Sequence, residues 1–150
     1  MSIKPLVIGV TMGDPAGIGP EITTALLAER VHEKEVRAVL IGCAKTVEET
    51  ARRKGLNVSI RRHEVLKRNE LRSGGIDVYD PDVFDGTLVQ PGDISKEAGE
   101  ASMLYNRQGA ELAMAEEIDG LVTSPVTKAS AKMAGYDYPC LLYTSPSPRD

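Results

Sequence analysis

The sequence contains little of what marks several common classes of protein. Phe, Tyr and Trp together make up 4% of its 150 residues, and there is no Trp. The two cysteines, Cys43 and Cys140, form no metal-binding spacing and are too few for a disulfide framework. We therefore expect neither a zinc centre nor a disulfide-stabilised secreted scaffold, and a reducing cytoplasm is the expected location.

Long apolar runs and an excess of positive charge are absent as well. No stretch approaches the roughly 18 apolar residues of a membrane-spanning helix. The run Leu6–Val10 is too short for a signal-peptide core and is soon followed by the turn Gly13-Asp14-Pro15. A net charge of −4 argues against a nucleic-acid binder, which usually presents a basic face. Neither a membrane nor a nucleic acid is therefore expected as a partner.

What remains is the composition of an ordinary soluble domain, with two apolar runs typical of buried strands. At 150 residues the chain is long enough for one domain but not for two full ones. Leu6–Thr11 is a continuous, largely apolar run, and Val36–Cys43, apolar apart from Arg37, is a second strand of the buried type, as in strands covered on both faces. Between them a helix is predicted to begin near Pro20, because proline suits the first helical turn. The residues that follow at helical spacing are Ile22, Ala25, Leu26 and Glu29.

The rest of the chain continues this alternation of strands and helices. Turn signals such as Gly74-Gly75 dominate residues 63–99, where one short strand, Ile76–Tyr79, is predicted. Strands that alternate with helices predict a parallel α/β sheet. The other predicted elements are a helix over Ala44–Lys54 ended by Gly55, a strand over Asn57–Arg61, a helix over Glu100–Ile118 ended by Gly120, a strand over Gly120–Thr123, and a helix beginning at Pro125 or Thr127.

The most informative segment is the glycine-rich stretch from Thr11 to Glu21, which lies between a predicted strand and a predicted helix. Strand exits at the carboxyl edge of a parallel sheet are where ligands bind, and glycines let the backbone turn sharply or approach a ligand. Gly17 and Gly19 are followed by Ile22 where a dinucleotide fingerprint has its third glycine. A P-loop is excluded too, because no Gly-Lys-Ser/Thr follows.

Two acidic residues of this segment have different expected roles. Asp14 would repel a phosphate, so we expect it to hold a hydroxyl group, an ammonium group or the amides of its own loop. Glu21, in the first turn of the predicted helix, interacts with the helix dipole by ~0.3–1 kcal/mol. On spacing alone, a purely structural turn followed by a capped helix is an equally good interpretation.

A second strand-to-helix segment, Gly120–Lys128, is rich in hydroxyl groups. Thr123, Ser124 and Thr127 supply them, and amides at the start of a helix suit an anion. Lys128 lies at the unfavourable end of the helix dipole, which a substrate phosphate or carboxylate would explain. The alternative, a lysine that simply extends into solvent, fits the spacing at least as well.

The other polar candidates are expected to have structural roles. No nucleophile–base pair and no cluster of metal ligands is evident in the sequence. We expect His32 and His63 to face solvent, Arg61-Arg62 and Lys67-Arg68 to form a solvated face, Asp80 and Asp82 to form a turn around Pro81, and Cys43 to pack as a small hydrophobe at a strand end.

Together the two segments resemble the signatures of a known family. Thr11–Glu21 resembles the N-terminal signature of the PdxA family of NAD-dependent 4-hydroxythreonine-4-phosphate dehydrogenases. A shorter form, Gly-Asp-Gly-Ile-Gly-Pro-Glu, opens the isocitrate and isopropylmalate dehydrogenases of related fold, and the Asp-Pro-Ala insertion points to the PdxA branch. Leu121–Lys128, followed by Ala134-Gly135 and Tyr138-Pro139, is similar to the family's second signature. The resemblance covers residues 1 to about 139.

The resemblance implies a fold and an activity. The fold would be the α/β/α architecture of the isocitrate/isopropylmalate dehydrogenases. The complete enzyme would oxidise the C3 hydroxyl of 4-phosphooxy-L-threonine with NAD, and the resulting β-keto acid would decarboxylate on the way to pyridoxal phosphate. Histidines would hold a divalent metal cation as a Lewis acid. The resemblance also implies a homodimer whose metal site is shared between subunits.

The sequence departs from the family pattern after Tyr138-Pro139. The family continues with Gly-His-Thr-Glu, whose His and Thr contact substrate, whereas this chain has Cys140-Leu-Leu-Tyr143. The family's metal-binding histidines lie further along. Residues 140–150 resemble translated sequencing-adapter DNA, so we expect a non-native, disordered tail there and an incomplete dehydrogenase portion over residues 1–139. We therefore expect the chain as given to be inactive, with no catalytic or metal-binding residue of its own.

Two alternatives remain open beside the 4-phosphooxy-L-threonine dehydrogenase. One is a related dehydrogenase acting on threonate or erythronate 4-phosphate. The other, from a different class, is a non-catalytic anion-binding α/β module. In each case the candidate substrate- or cofactor-loop residues are Asp14, Gly17, Gly19, Glu21, Thr123 and Lys128.

Overall fold

The computed structural model describes residues 5–30 and 32–137. The strands in this part of the chain are β1 (Leu6–Thr11), β2 (Val36–Ile41), β3 (Ile60–His63), β4 (Ile76–Tyr79) and β5 (Gly120–Val122). The helices are α1 (Gly19–Glu29), α2 (Ala44–Arg53), α3 (Lys96–Met114) and α4 (Lys128–Met133). The described strands form one sheet in the order β3-β4-β2-β1-β5, and every neighbouring pair is parallel. The predicted α/β fold with a parallel sheet is therefore confirmed.

Helices cover both faces of this sheet. Successive strand residues point to opposite faces, and Thr11 pairs in register with Ile41. Ile41 faces α3, because a Cβ added to Gly109 of α3 would lie 3.3 Å from its Cδ1. Val10, which points the other way from Thr11, lines a cavity together with Leu27 of α1. The first and third helices therefore lie on opposite faces of the sheet.

The most deeply buried part of the core includes aliphatic side chains of β2 and β4, two of the three inner strands of the sheet. Val39, Leu40 and Val78 are fully buried. The absence of alternation in β2 follows from this position, because a strand covered on both faces has no polar side. β1 is less uniform than its sequence predicts, since Leu6 at its start is 55% exposed.

Several predicted boundaries agree with the structure and others are shifted. β1 and β4 have the predicted bounds, and α2 ends just before Gly55, which has a φ of +66°. β2 ends at Ile41 instead of Cys43, and β3 spans Ile60–His63 instead of Asn57–Arg61. β3 pairs at the sheet edge with β4 alone, so its position is set by pairing with Ile76–Tyr79 and not by its own alternation.

The helix predicted over Glu100–Ile118 lies four residues earlier, at Lys96–Met114. It starts earlier because the Ser95 side chain accepts a hydrogen bond from the backbone N–H of Ala98 and caps the first turn. It ends earlier because Glu116 adopts a left-handed φ of 59°, which a helix cannot continue through. Gly120 is therefore a strand residue and does not end the helix.

The apolar residues that mark α1 in the sequence do not form its buried face. Ile22 and Leu26, placed together by helical spacing, are 47% and 42% exposed. The buried face instead carries Thr23, Thr24 and Leu27. Thr23 can be buried because its hydroxyl donates to the backbone carbonyl of its own helix turn. Apolar spacing identified the helix but did not identify its inner face.

Some predictions concern residues outside the described part of the chain. Cys140, the Tyr138-Pro139 part of the second signature and the expected tail at 140–150 all lie there. The division into residues 1–139 and 140–150 therefore stays a prediction. Among the described residues, no helix is both long and apolar enough to cross a membrane.

Candidate ligand site at the carboxyl edge of the sheet

Two loops leave neighbouring parallel strands at the same edge of the sheet. Val10 of β1 pairs in register with Val122 of β5. We call residues 12–18, between β1 and α1, the first loop, and residues 123–127, between β5 and α4, the second loop. They lie at the carboxyl edge of the strands, where open α/β sheets bind ligands.

The two loops are joined by hydrogen bonds and by close packing. The backbone N–H of Asp14 donates to the carbonyl of Pro125 over 3.0 Å. The backbone N–H of Ser124 donates to Oγ1 of Thr11 over 3.1 Å. Gly13 has a φ of +75°, and a Cβ there would lie 2.4 Å from the Pro125 oxygen. The two motifs singled out by the sequence therefore form one structural unit.

Asp14 is the buried acidic group of this unit. Its side chain is 1% exposed, and Oδ1 accepts a hydrogen bond from the backbone N–H of Ala16 over 2.9 Å. Oδ2 has no hydrogen-bond partner among the described residues. One oxygen thus holds an amide of the loop itself, and the other is buried without a donor among the described residues. Burying such an oxygen without a partner costs free energy, which a bound donor would offset.

Of the glycines in and just after the first loop, Gly13 and Gly19 serve the packing of the chain itself, whereas Gly17 is open to a ligand. A Cβ on Gly19 would lie 2.0 Å from the Met12 carbonyl oxygen. Gly17 is exposed, and a Cβ there would make only ordinary contacts of 3.4 Å with Asp14. Of these two candidates, Gly17 alone faces space that a ligand could occupy.

Glu21 belongs to the interface between α1 and α2. It lies in the first turn of α1, as predicted. Its carboxylate is 3.0 Å from Nη2 of Arg53 and 3.1 Å from Nζ of Lys54. Partly exposed ion pairs of this kind contribute about 0–1 kcal/mol each. Glu21 therefore joins the helix that follows the first loop to its neighbour.

The second loop leads into a short helix. α4 begins at Lys128 and has six residues, with Thr127 as its N-cap. A helix of this length has a weak dipole, so its amides contribute less to anion binding than the sequence suggests. Thr123 and Lys128 are both exposed. The cationic side chain of Lys128 is therefore the stronger anion-binding group at this loop.

A cleft of about 470 Å³ lies beside the first loop. Pro15 and Gly17 line it from the loop, and Lys45, Glu49 and Arg53 line it from α2. Residues between 86 and 91 close the far side. Because its charged groups are of both signs, the cleft shows no simple preference for an anion.

Asp80, predicted as a turn former, also caps a helix. Its Oδ1 accepts from the backbone N–H of Asp82 over 3.0 Å, as expected of a turn. Its Oδ2 accepts from the N–H of Ala44, the first residue of α2, over 2.8 Å. Nearby Tyr105 is 3% exposed, and burial, followed by electrostatic interactions with Cys43 and Asp80, raises its pKa well above the usual range. The phenol therefore stays neutral.

A second buried acidic centre was missed in the sequence. Asp77, on β4, is 2% exposed and accepts hydrogen bonds from Nε and Nη2 of Arg61 over 2.8 and 3.0 Å. His63 Nε2 lies 2.8 Å from its Oδ1. Burial alone would raise the pKa of Asp77, but the hydrogen bonds from Arg61 and His63 outweigh it and lower the pKa. In-register pairing of β3 with β4 brings these three residues together.

This cluster corrects two expectations. His63 is largely buried against Asp77 instead of facing solvent, whereas His32 is exposed as expected. The prediction that the two basic pairs form a solvated face is also wrong in part, because Arg61 is bound to Asp77. Arg68, its counterpart in the second basic pair, makes two hydrogen bonds of 3.0 and 2.6 Å to Asp119. Cys43 is buried at the start of α2, as expected.

A larger cavity, of about 580 Å³, lies along α3. Phe84, Leu104 and Asn106 are among its lining residues. No described residue of either loop lines it. We therefore assign it no part in the candidate site.

The described residues do not fit the metal that the resemblance implies. No group of three or more His, Cys, Asp or Glu side chains among them could hold a metal ion. They do not form a dinucleotide cradle either, since Gly13 and Gly19 are filled by the chain's own carbonyl groups. The site supported by the described residues is limited to the two joined loops.

Comparison with known proteins identifies the family. A family model described as "Pyridoxal phosphate biosynthetic protein PdxA" matches residues 34–141, which include the second loop. The chain belongs to the PdxA family.

Relatives extend this match to the first loop. A protein of Symbiobacterium thermophilum, provisionally named D-threonate 4-phosphate dehydrogenase, is 32% identical over 138 residues, 92% of this chain and 41% of its own length. A protein of Oceanobacillus iheyensis with the same provisional name is 35% identical over 142 residues, 93% of this chain and 42% of its own length. The chain thus spans about two fifths of these relatives.

A solved structure supports the same architecture. The crystal structure of a 4-hydroxythreonine-4-phosphate dehydrogenase from Burkholderia phymatum superposes with a TM-score of 0.81 at 34% identity. It covers 92% of this chain and 42% of the solved one. This PdxA-family chain therefore has the parallel-sheet architecture of the isocitrate/isopropylmalate dehydrogenase type, and its relatives are named as dehydrogenases.

Proposed function

We propose that the chain is the N-terminal part of a cytoplasmic, homodimeric, NAD-dependent dehydrogenase for a four-carbon hydroxy acid that carries a 4-phosphate. Two substrates fit the names of the relatives, 4-phosphooxy-L-threonine and D-threonate 4-phosphate. Both carry a carboxylate and a phosphate, and they differ in an ammonium or a hydroxyl group at C2. We take 4-phosphooxy-L-threonine as the leading substrate, on the resemblance of both loops and the description of the family. Its oxidised product would lose carbon dioxide and supply pyridoxal phosphate synthesis.

One observation carries this proposal. The first loop and the second loop, each matching a signature of the family, are hydrogen-bonded to each other at the carboxyl edge of the sheet. Asp14 lies at that junction with one carboxylate oxygen unpartnered among the described residues. A buried carboxylate oxygen without a donor costs more free energy than an unpartnered hydroxyl group, so the unpartnered oxygen of Asp14 supports a bound donor.

Each candidate residue has a proposed role in this site. Lys128 is exposed and supplies the positive charge for the phosphate or the carboxylate. Asp14 accepts a hydrogen bond from a hydroxyl or ammonium group of the substrate. Thr123 offers an exposed hydroxyl, and Gly17 leaves room for the ligand. Gly19 and Glu21 act indirectly, by packing the loop and by joining α1 to α2.

NAD and the divalent metal belong to the proposal through the resemblance alone. Because the described residues do not fit the metal or cradle a dinucleotide, we assign no ligand of either group among them. The proposed contribution of the described loops is to bind and orient the phosphorylated acid. Hydride transfer and metal binding are assigned to no residue between 5 and 137.

The proposal can be tested on the complete gene product. The coding DNA is sequenced past codon 139, and the encoded protein is assayed for metal-dependent NADH formation with each of the two phosphorylated acids. We expect Gly-His-Thr-Glu to follow Pro139 and NADH to form with one substrate. A genomic sequence that encodes Cys-Leu-Leu-Tyr there would show that the adapter interpretation is wrong. Absence of turnover with both acids would contradict the dehydrogenase.

The same assay separates the alternative of a non-catalytic anion-binding module. Such a module would bind the phosphorylated acid, measured by calorimetry, without forming NADH at any metal concentration. The 150-residue chain is assayed in parallel, and we expect no NADH from it. Turnover by the 150-residue chain would show that the active site has been misplaced.

A further inference from the structure

Thr11 occupies a special place at the junction of the two loops. It is the last residue of β1, and its side chain is 0% exposed. Its Oγ1 accepts the hydrogen bond from the backbone N–H of Ser124, 113 residues further along the chain. This side-chain contact joins β1 to the second loop.

This hydrogen bond takes the place of backbone pairing between β1 and β5 at the point where that pairing ends. β1 and β5 pair in register from Ile8 with Gly120 to Val10 with Val122. Beyond Val122 the chain turns towards α4, so the N–H of Ser124 is received by a side chain instead of a backbone carbonyl. An acceptor on the side chain of Thr11 can hold the second loop at the edge of the sheet while the backbone of that loop turns away from β1.

The residue type at position 11 is informative. The apolar strand leading to Thr11 would accept valine there, because valine has nearly the same shape and the site is fully buried. Burying a hydroxyl costs free energy unless it is hydrogen-bonded. A buried threonine that receives the N–H of a distant loop is therefore better explained by that loop than by packing of the sheet.

We propose that Thr11 is a positioning residue for ligand binding: its hydroxyl holds the second loop at the end of β1, so that Thr123 and Lys128 are presented next to the first loop. This inference rests on the proposed function, because it assigns those residues to the substrate. Thr11 itself does not touch the substrate. It acts through the backbone of Ser124.

Three variants of the complete gene product test this role. Thr11→Val removes the acceptor and keeps the shape, whereas Thr11→Ser keeps the acceptor and removes a methyl group. Thr24→Val is the matched control, because Thr24 is also 0% exposed but its hydroxyl has no hydrogen-bond partner among the described residues. Amide hydrogen exchange at Ser124 and Asp14, KM for the phosphorylated acid and kcat are measured for each variant.

We expect Thr11→Val to accelerate exchange at Ser124 and to raise KM about tenfold, with kcat changed by less than about threefold. Thr11→Ser should restore both exchange and KM, and Thr24→Val should behave like the wild type. The inference is overturned if Thr11→Val leaves exchange at Ser124 unchanged, if KM stays the same, or if Thr11→Ser is as defective as Thr11→Val. In the last case packing of the methyl group is what matters.

The two proposals fail in different ways. If the wild-type protein forms no NADH with either acid, the proposed dehydrogenase is wrong, but exchange at Ser124 still reports whether Thr11 holds the second loop. If the wild type is active and Thr11→Val has the wild-type KM, the dehydrogenase stands and the positioning role is wrong.

Discussion

The carboxylate of Asp80 holds the start of α2, because its Oδ2 accepts the backbone N–H of Ala44 over 2.8 Å. Asp80 follows β4, so the loop after one strand caps the helix that follows its neighbour. Cys43, the N-cap residue of α2, makes no side-chain capping bond of its own among the described contacts. The cap is supplied instead by Asp80, which lies 36 positions after Ala44 in the chain.

Removing this cap should destabilise the protein. We expect Asp80→Ala to lower the free energy of unfolding by about 1–2 kcal/mol, because the amide of Ala44 loses its partner. Asp93→Ala, which removes an exposed carboxylate, should change it by less than about 0.5 kcal/mol. Urea unfolding monitored by circular dichroism measures both. Equal losses in the two variants would mean that the cap contributes nothing.

The Asp77 cluster predicts a pH dependence of stability. The pKa of Asp77 is lowered from 3.8 in the folded protein, so its contribution is fully present above that value and is lost as the pH falls through the folded pKa. Asp77→Asn should cost about 2–3 kcal/mol at pH 7, because Arg61 loses its charged partner. The difference between wild type and variant should shrink when unfolding is repeated at pH 3. A difference independent of pH would contradict the assigned ionisation.

Gly13 should tolerate substitution less well than another glycine with positive φ. Gly13→Ala places a Cβ 2.4 Å from the Pro125 oxygen at a φ of +75°. Gly74→Ala has a similar φ of +87° but no atom within 4 Å, so it measures the backbone strain alone. We expect Gly13→Ala to cost about 1–3 kcal/mol more than Gly74→Ala in thermal unfolding. Similar costs would show that the two loops do not pack together as described.

The inner face of α1 gives a direct comparison of side chains. Leu27→Ala should cost about 2–4 kcal/mol, because Leu27 is 5% exposed in the core. Ile22→Ala should cost below about 1 kcal/mol, since Ile22 is 47% exposed. Urea unfolding at equal protein concentration compares the two. A larger loss for Ile22 would contradict the buried face assigned to α1.

Local signals in the sequence were sufficient for much of the fold. The apolar run Leu6–Thr11 and the glycine after α2 determine structure only in their immediate neighbourhood in the sequence. β1 and the end of α2 therefore lie where predicted. The start of α3 depends on Ser95, whose capping bond could have been recognised from the serine ahead of the helix. The face of α1 was not predictable, because apolar spacing does not show which side of a helix meets the sheet.

The candidate site could be located from the sequence but not assembled. The loops at Asp14 and Lys128 follow predicted strands, and the resemblance marked both. Thr11 and Ser124 meet because the order of the strands places β5 beside β1. Nothing in the sequence showed that strand order. The Asp77 cluster was missed for the same reason, since it depends on the register between β3 and β4.

Lys128 provides the most direct test of the proposed site. KM and kcat for NADH formation by the complete gene product are measured for Lys128→Met and for Lys132→Met, an exposed lysine of the same short helix. We predict that Lys128→Met raises KM for the phosphorylated acid by about tenfold or more, because a charge-assisted hydrogen bond is lost. Lys132→Met should stay within about twofold of wild type. Equal KM values for both variants and the wild type would contradict the assignment of the second loop to the substrate.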